Sequence, residues 1–333
     1  MKRFSLIVCT YMRPKTLQKL LDSVLKQTLY PNEILIIDGS SNNLTQEVLE
    51  QKRYENLKYL KVEAEDRGLT RQRNFGVKHV HENSEIVCFL DDDIVLEPNY
   101  FESLINTYST RPNALAVGGY ITNEVNWEPL SDDNSGNDTF CFDNWQRKEP
   151  LRYRLRGVFG LLPNVPPGFF PDFGHGRPIS FLPPSKKIYE TELFMGGVAS
   201  YKKEIFENHR FSNYFEGYGL YEDADFCLRL ARKGQLYVNT NAKCEHYHEP
   251  LGRPDTFKYG KMVVRNGWYI WKTKHPKTTF KSKIKWHAIT VLLIKVKSLN
   301  IFTTKNRVDA VKETLGRIVG WWSLIFNSPK VER

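Results

Sequence analysis

Residues 87–101 read VCFLDDDIVLEPNYF, an apolar run that ends in three consecutive aspartates. The apolar run favours a buried strand, and a second apolar segment with Pro98 follows the acids. Three adjacent carboxylates repel one another unless a cation or donor groups compensate, and a hard divalent ion such as Mg²⁺ or Mn²⁺ suits them. Because side chains alternate along an extended segment, Asp91 and Asp93 can face one side while Asp92 faces the other. An acidic turn capping the next helix would account for one aspartate but not for three.

Short apolar runs alternate with helical patterns on both sides of this segment. The predicted strands are residues 4–9, 33–38, 57–62, 85–90 and 114–119, and the predicted helices are residues 15–27, 44–51, 69–80 and 99–109. This alternation predicts an α/β fold with a doubly wound, mostly parallel sheet. Such sheets bind ligands beyond the carboxyl ends of their strands, so the residues just after each strand are candidates for a site.

The periodicity fails over residues 123–192, which are rich in proline, glycine and aromatic residues. This composition predicts a long ordered loop or lid. Order returns with a strand and turn in residues 193–206, a helix over residues 221–234 that ends at Gly234, and a strand in QLYVNTN (235–241).

The composition of the 333 residues predicts a folded protein, because 41% of them are apolar and 13% are aromatic. The five cysteines show no CxxC spacing, which favours a reducing compartment and argues against a zinc site. The apolar stretch at residues 288–294 is far shorter than the ~20 residues that span a bilayer, so we expect no transmembrane helix.

The basic charge is concentrated at the C-terminal end of the sequence. Residues 251–333 hold 18 Lys and Arg against 4 Asp and Glu, within a net charge of +10 for the whole sequence. Such a basic extension fits nucleic acid, anionic lipid or merely a solvated face. Within it, apolar residues at helical spacing predict an amphipathic helix that either packs on the core or lies on a membrane surface; these residues are Val308, Val311, Leu315, Ile318, Trp322 and Ile325.

Three further segments carry side chains suited to chemistry. In EDRGLTRQRNFG, Arg71 and Arg73 open a predicted helix where they could face a pyrophosphate. In GLYEDADFCLRL, Glu222 and Asp223 lie in a first helical turn, where ordinary helix-start acids also occur. In KCEHYHEP, two alternating histidines follow a strand and could add a nitrogen ligand to a metal ion; they are His246 and His248.

Six segments together resemble the family 2 glycosyltransferases, over about residues 3–250. The segments are SLIVCTYMRP, EILIIDGSSNN, GLTRQRNFG, FLDDDIVLEP, MGGVASYKKEIF and GLYEDADFCLRL. The resemblance implies the A-type nucleotide-diphospho-sugar transferase fold and an inverting transfer that depends on Mn²⁺ or Mg²⁺.

The resemblance also implies roles for individual residues. Nucleotide base and ribose would be held by Thr10, Arg13 and Asp38, the diphosphate would lie near Arg71, and the ribose would face Asp91, with Asp92 in the same donor-binding set. The metal would be bound by Asp93 and by a downstream histidine, with His246 and His248 both open. Gly196 and Gly197 would approach the donor sugar, as only glycine can. The general base lies in the Glu222–Asp223 pair, and Asp223 is the preferred choice.

The sequence therefore predicts a glycosyltransferase of polysaccharide or glycolipid assembly, with a UDP-sugar as the preferred donor and a glycan or lipid-linked acceptor. Residues 1–250 are expected to form the catalytic domain, in which the loop or lid of residues 123–192 would shape the acceptor side. Residues 251–333 are expected to form a basic helical extension that contacts membrane peripherally on the cytoplasmic side. A nucleotidyltransferase is the first alternative, but the sequence has no Walker-type phosphate loop. A non-catalytic protein that binds nucleic acid or membrane is the second, and the intact carboxylates argue against it, so we expect no nucleic-acid partner.

Overall fold

The computed structural model describes residues 2–130, 138–215, 217–248 and 254–331. The chain divides into two compact units. The first unit comprises Met1–Asn126 and Pro184–Arg253, and the second comprises Trp127–Pro183 and Pro254–Arg333. The second unit therefore contains most of residues 123–192, the predicted loop region, together with the predicted C-terminal extension. The proposed boundary of a catalytic domain at residue 250 stays a prediction.

The strands and helices follow the predicted alternation closely through the first part of the chain. In chain order they are β1 (Phe4–Thr10), α1 (Pro14–Val24), β2 (Glu33–Asp38), α2 (Leu44–Glu50), β3 (Leu57–Lys61), α3 (Leu69–Lys78), β4 (Ile86–Asp91), β5 (Ile94–Leu96), α4 (Tyr100–Thr110), β6 (Ala114–Ile121), β7 (Glu128–Pro129), β8 (Thr139–Phe142), β9 (Trp145–Lys148), α5 (Leu151–Val158), β10 (Ile188–Thr191), β11 (Val198–Lys202), α6 (Glu222–Leu230), β12 (Gln235–His246), α7 (Thr256–Lys274), α8 (Phe280–Ser298), α9 (Asn300–Thr303) and α10 (Arg307–Phe326).

The described strands of the first unit form one sheet in the order β10-β12-β6-β11-β4-β1-β2-β3, with β5 paired to β12. Strands β3, β2, β1 and β4 run parallel, and β11 is inserted antiparallel between β4 and β6. The register sets Thr10 beside Asp38 and Cys9 beside Asp91, so the carboxyl ends of three parallel strands meet. The predicted α/β fold with a mostly parallel sheet is confirmed.

The core explains why the central strands read as continuous apolar runs. Strands β1, β2 and β4 are buried on both faces, as parallel strands covered by helices are. Helix α1 begins at Pro14, where a missing backbone N–H costs nothing, and buries Leu17, Leu20, Leu21 and Val24. Burial on both sheet faces fixes the register, because a one-residue slip would exchange the two faces.

Residues 123–192 differ from the loop expected there. The described part contains a small antiparallel sheet in the order β7-β9-β8, the helix α5 and the edge strand β10; residues 131–137 of the predicted loop lie outside the described residues. The hairpin between β8 and β9 turns at Asp143 and Asn144, both at positive φ, as a two-residue primed turn requires. Strands of two to four residues are too short to show a period of two in the sequence.

Helix α10 confirms the predicted C-terminal helix, but most of its apolar stripe is exposed and does not pack on α7. The helix packs on α7 through small residues: a Cβ atom at Gly316 would lie 2.0 Å from the carbonyl oxygen of Phe257, and one at Gly260 would lie 2.2 Å from that of Glu313. The backbones can approach this closely only because glycines stand at the contact. Among the described helices, none is long and apolar enough to cross a membrane.

Candidate functional site

The three aspartates at the end of β4 separate to two sides, as the alternation of side chains predicts. Asp92 is buried and accepts hydrogen bonds from Thr10 Oγ1 at 2.7 Å and from Arg13 Nη1 at 3.0 Å. Burial raises the pKa of Asp92 to about 6, although Arg13 and Thr10 favour its ionised form. In this structure Thr10 and Arg13 therefore fix the acidic turn, and their predicted contacts to a nucleotide stay predictions.

Asp91 and Asp93 converge with His246 on the other side. The candidate ligand atoms of these three residues all lie within 4.8 Å of one another, and His246 Nε2 is 3.2 Å from Asp93 Oδ1. Strand β12 delivers His246 because its end pairs with β5, which sets His246 beside Ile94. Two carboxylates and one imidazole are a donor set that suits Mn²⁺, and the carboxylates also suit Mg²⁺. The residues thus fit the divalent ion that the sequence predicts.

Two carboxylates set the pKa of His246. Burial disfavours its protonation, but hydrogen bonds with Asp93 and Glu124 outweigh burial and raise its pKa to about 9. Glu124 Oε1 lies 3.1 Å from His246 Nδ1 and also 3.1 Å from His248 Nε2. Glu124, His246 and His248 form a second possible ligand group, whereas His248 does not belong to the group with the two aspartates.

Arg73 links two acidic segments that are distant in sequence. Its Nη2 lies 3.2 Å from Asp91 Oδ1, and its Nη1 donates to Glu222 Oε1. The guanidinium is buried over the rings of Phe89 and Phe211, 5.5 and 5.4 Å from the ring centroids. Burial lowers the pKa of Arg73, but Glu222 and Asp91 outweigh burial and raise it. This side chain therefore holds Asp91 in place.

The neighbouring Arg71 makes a different contact. Its Nη1 donates to the backbone carbonyl of Glu65, in the turn before α3. Positions 71 and 73 are two residues apart on a helix, so they point in different directions. The predicted place of Arg71 beside a diphosphate stays a prediction.

The acids at the start of α6 differ in their surroundings. Glu222 is buried, and its Oε2 has no hydrogen-bond partner among the described residues. Burial raises the pKa of Glu222 to about 8, despite the opposing effect of Arg73. Asp223 is only partly buried, and its two oxygens accept from the backbone N–H groups of Gly196 at 2.9 Å and Ala224 at 2.7 Å. Burial raises the pKa of Asp223 too, while both backbone donors lower it.

Gly196 and Gly197, just before β11, bring backbone against the charged side chains. A Cβ atom at Gly197 would lie 2.1 Å from Asp91 Oδ2, and one at Gly196 would lie 2.5 Å from Arg73 Nη1. In this structure the two glycines therefore lie close to side chains of the site itself, those of Asp91 and Arg73. Its predicted contact with a donor sugar stays a prediction.

Asp38, at the end of β2, is fully buried. One of its oxygens accepts from the hydroxyl of Tyr59 at 2.8 Å, and the other accepts from the backbone N–H of Ser40 at 2.8 Å. The predicted contact of Asp38 with a nucleotide base is not tested by these bonds and stays a prediction.

The sequence alone did not reveal the position of Glu124 beside His246. Nor did it reveal that Arg73 bridges Asp91 and Glu222. Glu124 follows β6 by three residues, within the region that lacks periodicity. Its position just beyond a strand end was the available signal, because residues there border the ligand side of such a sheet. Arg73 was recognised as a candidate, but its partners lie on other elements.

Comparisons with known proteins give a consistent result. A family model described as "Glycosyl transferase family 2" matches residues 5–171. The chain is 30% identical over 122 residues to the glucosyl-dolichyl phosphate glucuronosyltransferase of Haloferax volcanii, which covers 36% of this chain and 38% of that protein. It is 27% identical over 297 residues to the putative glycosyltransferase EpsH of Bacillus subtilis, which covers 79% of this chain and 77% of that protein. The chain therefore matches well under half of the archaeal relative.

A solved structure supports the fold. The structure of GalNAc-T7 with UDP, GalNAc and Mn²⁺ superposes with a TM-score of 0.55 at 16% sequence identity. The match covers 99% of this chain and 59% of that one. At this identity the likeness concerns the fold alone.

Proposed function

This chain belongs to glycosyl transferase family 2 and has the A-type fold, and we propose that it is a glycosyltransferase that performs a metal-dependent, inverting transfer from a nucleotide-diphospho-sugar to a hydroxyl group. The observation that carries the proposal is the convergence of Asp91, Asp93 and His246 at the carboxyl end of β4. In a parallel sheet this edge is where ligands bind. We propose a UDP-sugar as donor.

Asp93 and His246 would hold Mn²⁺ or Mg²⁺, and Asp91 would face the donor ribose. When bound, the ion would offset the negative charge that develops on the departing nucleoside diphosphate. Arg73 keeps the Asp91 carboxylate in place through the 3.2 Å contact, so the acidic edge does not need to reorganise when the donor arrives. His248 shares Glu124 with His246 and is not needed as a ligand.

Asp223 is our choice of general base. It is more accessible than Glu222, and two backbone N–H groups fix its carboxylate at the start of α6. The acceptor hydroxyl would give its proton to Asp223 while its oxygen bonds to the anomeric carbon. The bond from that carbon to the diphosphate oxygen breaks on the opposite face, so the configuration inverts. Glu222 binds Arg73 instead, because its Oε1 accepts from Arg73 Nη1.

The reaction is tested by incubating the full chain with a set of nucleotide-sugars and measuring released nucleoside diphosphate. We expect one donor to be turned over only with Mn²⁺ or Mg²⁺, and Asp223→Asn to lower kcat by about 10²–10⁴-fold. Glu222→Gln is the matched control, since its amide oxygen can still accept from Arg73, and we expect a smaller loss. A larger loss in Glu222→Gln than in Asp223→Asn would overturn the assignment of the base.

We also propose a glycan or lipid-linked acceptor and peripheral contact of the second unit with an anionic leaflet. One face of α10 exposes Val308, Trp322, Ile325 and Phe326, with exposed fractions of 65%, 54%, 64% and 87%. The opposite, glycine-bearing face packs on α7. An apolar face on a basic helical region fits a membrane surface, because aromatic side chains enter the headgroup layer while lysines meet anionic lipid.

Sedimentation with vesicles tests this contact. The full chain should bind vesicles of phosphatidylglycerol and phosphatidylcholine more tightly than vesicles of phosphatidylcholine alone, and Trp322→Ser with Phe326→Ser should weaken binding about tenfold or more. Phe159→Ser is the matched control, because Phe159 is an exposed aromatic residue outside α10. Equal binding by the double variant would overturn the proposal. A dimer in gel filtration that the double variant abolishes would show that a second copy covers this face instead.

A further inference from the structure

The geometry points to Glu124 as a positioning residue that fixes the ring of His246 for metal binding, an inference that rests on the proposed function. Glu124 Oε1 lies 3.1 Å from Nδ1 of His246, while Nε2 on the far side of the ring lies 3.2 Å from Asp93 Oδ1. The two ring nitrogens therefore face two different carboxylates.

An ion bound at Nε2 of His246 would leave the proton of the neutral ring on Nδ1, which faces Glu124. An ionised carboxylate can only accept, so Glu124 binds the ring best when Nδ1 carries the proton. The lone pair of Nε2 then points toward Asp91 and Asp93. A carboxylate behind a ligating histidine fixes ring orientation in this way in many metal sites.

The backbone around Glu124 is itself tied to β12. The backbone N–H of Thr122 donates to the carbonyl of Cys244 at 2.9 Å, and the Asn123 side chain both accepts from the backbone N–H of His246 and donates to its carbonyl, at 3.0 and 3.1 Å. These bonds continue the parallel pairing of β6 with β12 beyond the last ladder residue, Ile121. They place Glu124 beside His246 independently of the contact between their side chains.

The position of His248 suggests an alternative, in which Glu124 and His248 are themselves metal ligands. His248 Nε2 lies 3.1 Å from the same Glu124 oxygen, and the ring centroid of His248 lies 4.0 Å from that of His246. If Glu124 and His248 were ligands, the ion would bind Nδ1 of His246, on the side away from the aspartates. The imidazole of His248 is more exposed than that of His246, with side-chain exposures of 55% and 10%. We therefore assign the ion to Nε2 and the carboxylate of Glu124 to the ring proton.

Titration of the full chain with Mn²⁺, followed by electron paramagnetic resonance of the free ion, tests this role. We expect Glu124→Ala to weaken Mn²⁺ binding by about 10–100-fold. Glu124→Gln should retain most of the affinity, since its amide oxygen also accepts from Nδ1–H. His248→Ala is the matched control and should stay within about twofold of the wild type. Unchanged affinity in Glu124→Ala, or an equal loss in His248→Ala, would overturn the inference.

A second readout does not need the ion. Nitrogen-15 NMR of the metal-free chain should show an Nδ1–H of His246 that exchanges slowly with solvent in the wild type, because Glu124 accepts it, and that exchanges faster in Glu124→Ala. A wild type that binds no Mn²⁺ but shows this slowly exchanging Nδ1–H would refute the metal proposal and leave the contact of Glu124 established. An Nδ1–H that exchanges equally fast in the wild type and in Glu124→Ala would refute the inference itself.

Discussion

Replacing Gly197 with alanine should damage the donor side of the site while leaving the fold intact. The added Cβ atom would lie 2.1 Å from Asp91 Oδ2, whereas ordinary contact begins at 3.4 Å, so the carboxylate must retreat by about 1.3 Å. That retreat breaks the 3.2 Å contact between Asp91 and Arg73. Hydrogen bonds between charged groups contribute about 1.5–3 kcal/mol, which corresponds to a 10- to 100-fold loss in kcat/KM.

The assay is the release of nucleoside diphosphate at low donor concentration, with circular dichroism as a check of folding. Gly157→Ala is the matched control, because a Cβ atom there would meet only Leu162, at 3.6 Å. We expect the control to keep the activity of the wild type. Wild-type kcat/KM in Gly197→Ala would refute the reasoning, since it would mean that Asp91 need not stay where Arg73 holds it.

Three further predictions concern charge and packing. Arg73→Leu should lower the free energy of unfolding by about 1–3 kcal/mol, because it leaves the buried carboxyl of Glu222 without its donor. Arg71→Leu, at a less buried position, should lower it by less in urea denaturation. The pKa of Glu222 has its ordinary value of 4.5 in the unfolded chain, and burial raises it to about 8 in the folded one, so stability should fall as pH rises between these values, by up to about 1.4 kcal/mol per pH unit. Glu222→Gln should flatten that slope, and an unchanged slope would contradict the assignment. Gly260→Ala should lower the melting temperature, since its Cβ atom would meet backbone of α10, whereas Gly267→Ala on the same helix meets no atom within 4 Å and should raise it slightly; the reverse order would refute the close packing of α7 and α10.

The alternating part of the chain could be predicted from its sequence because local patterns decide it. Strands buried on both faces must be apolar throughout, and the amphipathic helices between them have a different period. The position of the acidic cluster could be predicted in the same way, because it stands at the end of β4. The alternation of side chains also predicted that Asp92 faces away from Asp91 and Asp93.

The contacts that complete the site could not be predicted, because they join segments far apart in the sequence. Glu124 and His246 are 122 residues apart and meet only because β6 pairs with β12. Arg71 and Arg73 stand in one helical turn, and only the packing of α3 decides which of them reaches Asp91. The exposure of the α10 stripe likewise follows from the glycine contact with α7, which outweighs the pattern of apolar residues.

The most direct test of the central claim is calorimetric titration of UDP, GDP, CDP and dTDP into the wild type, with and without Mn²⁺, repeated with Asp93→Ala. Asp22→Ala, which removes an exposed acid outside the cluster, is the control. We predict that one nucleotide, with UDP expected, binds tightly only with Mn²⁺, that Asp93→Ala abolishes this binding, and that Asp22→Ala retains it. Binding of none of the four nucleotides, or equal binding by Asp93→Ala, would contradict a metal-dependent nucleotide-sugar site at the end of β4.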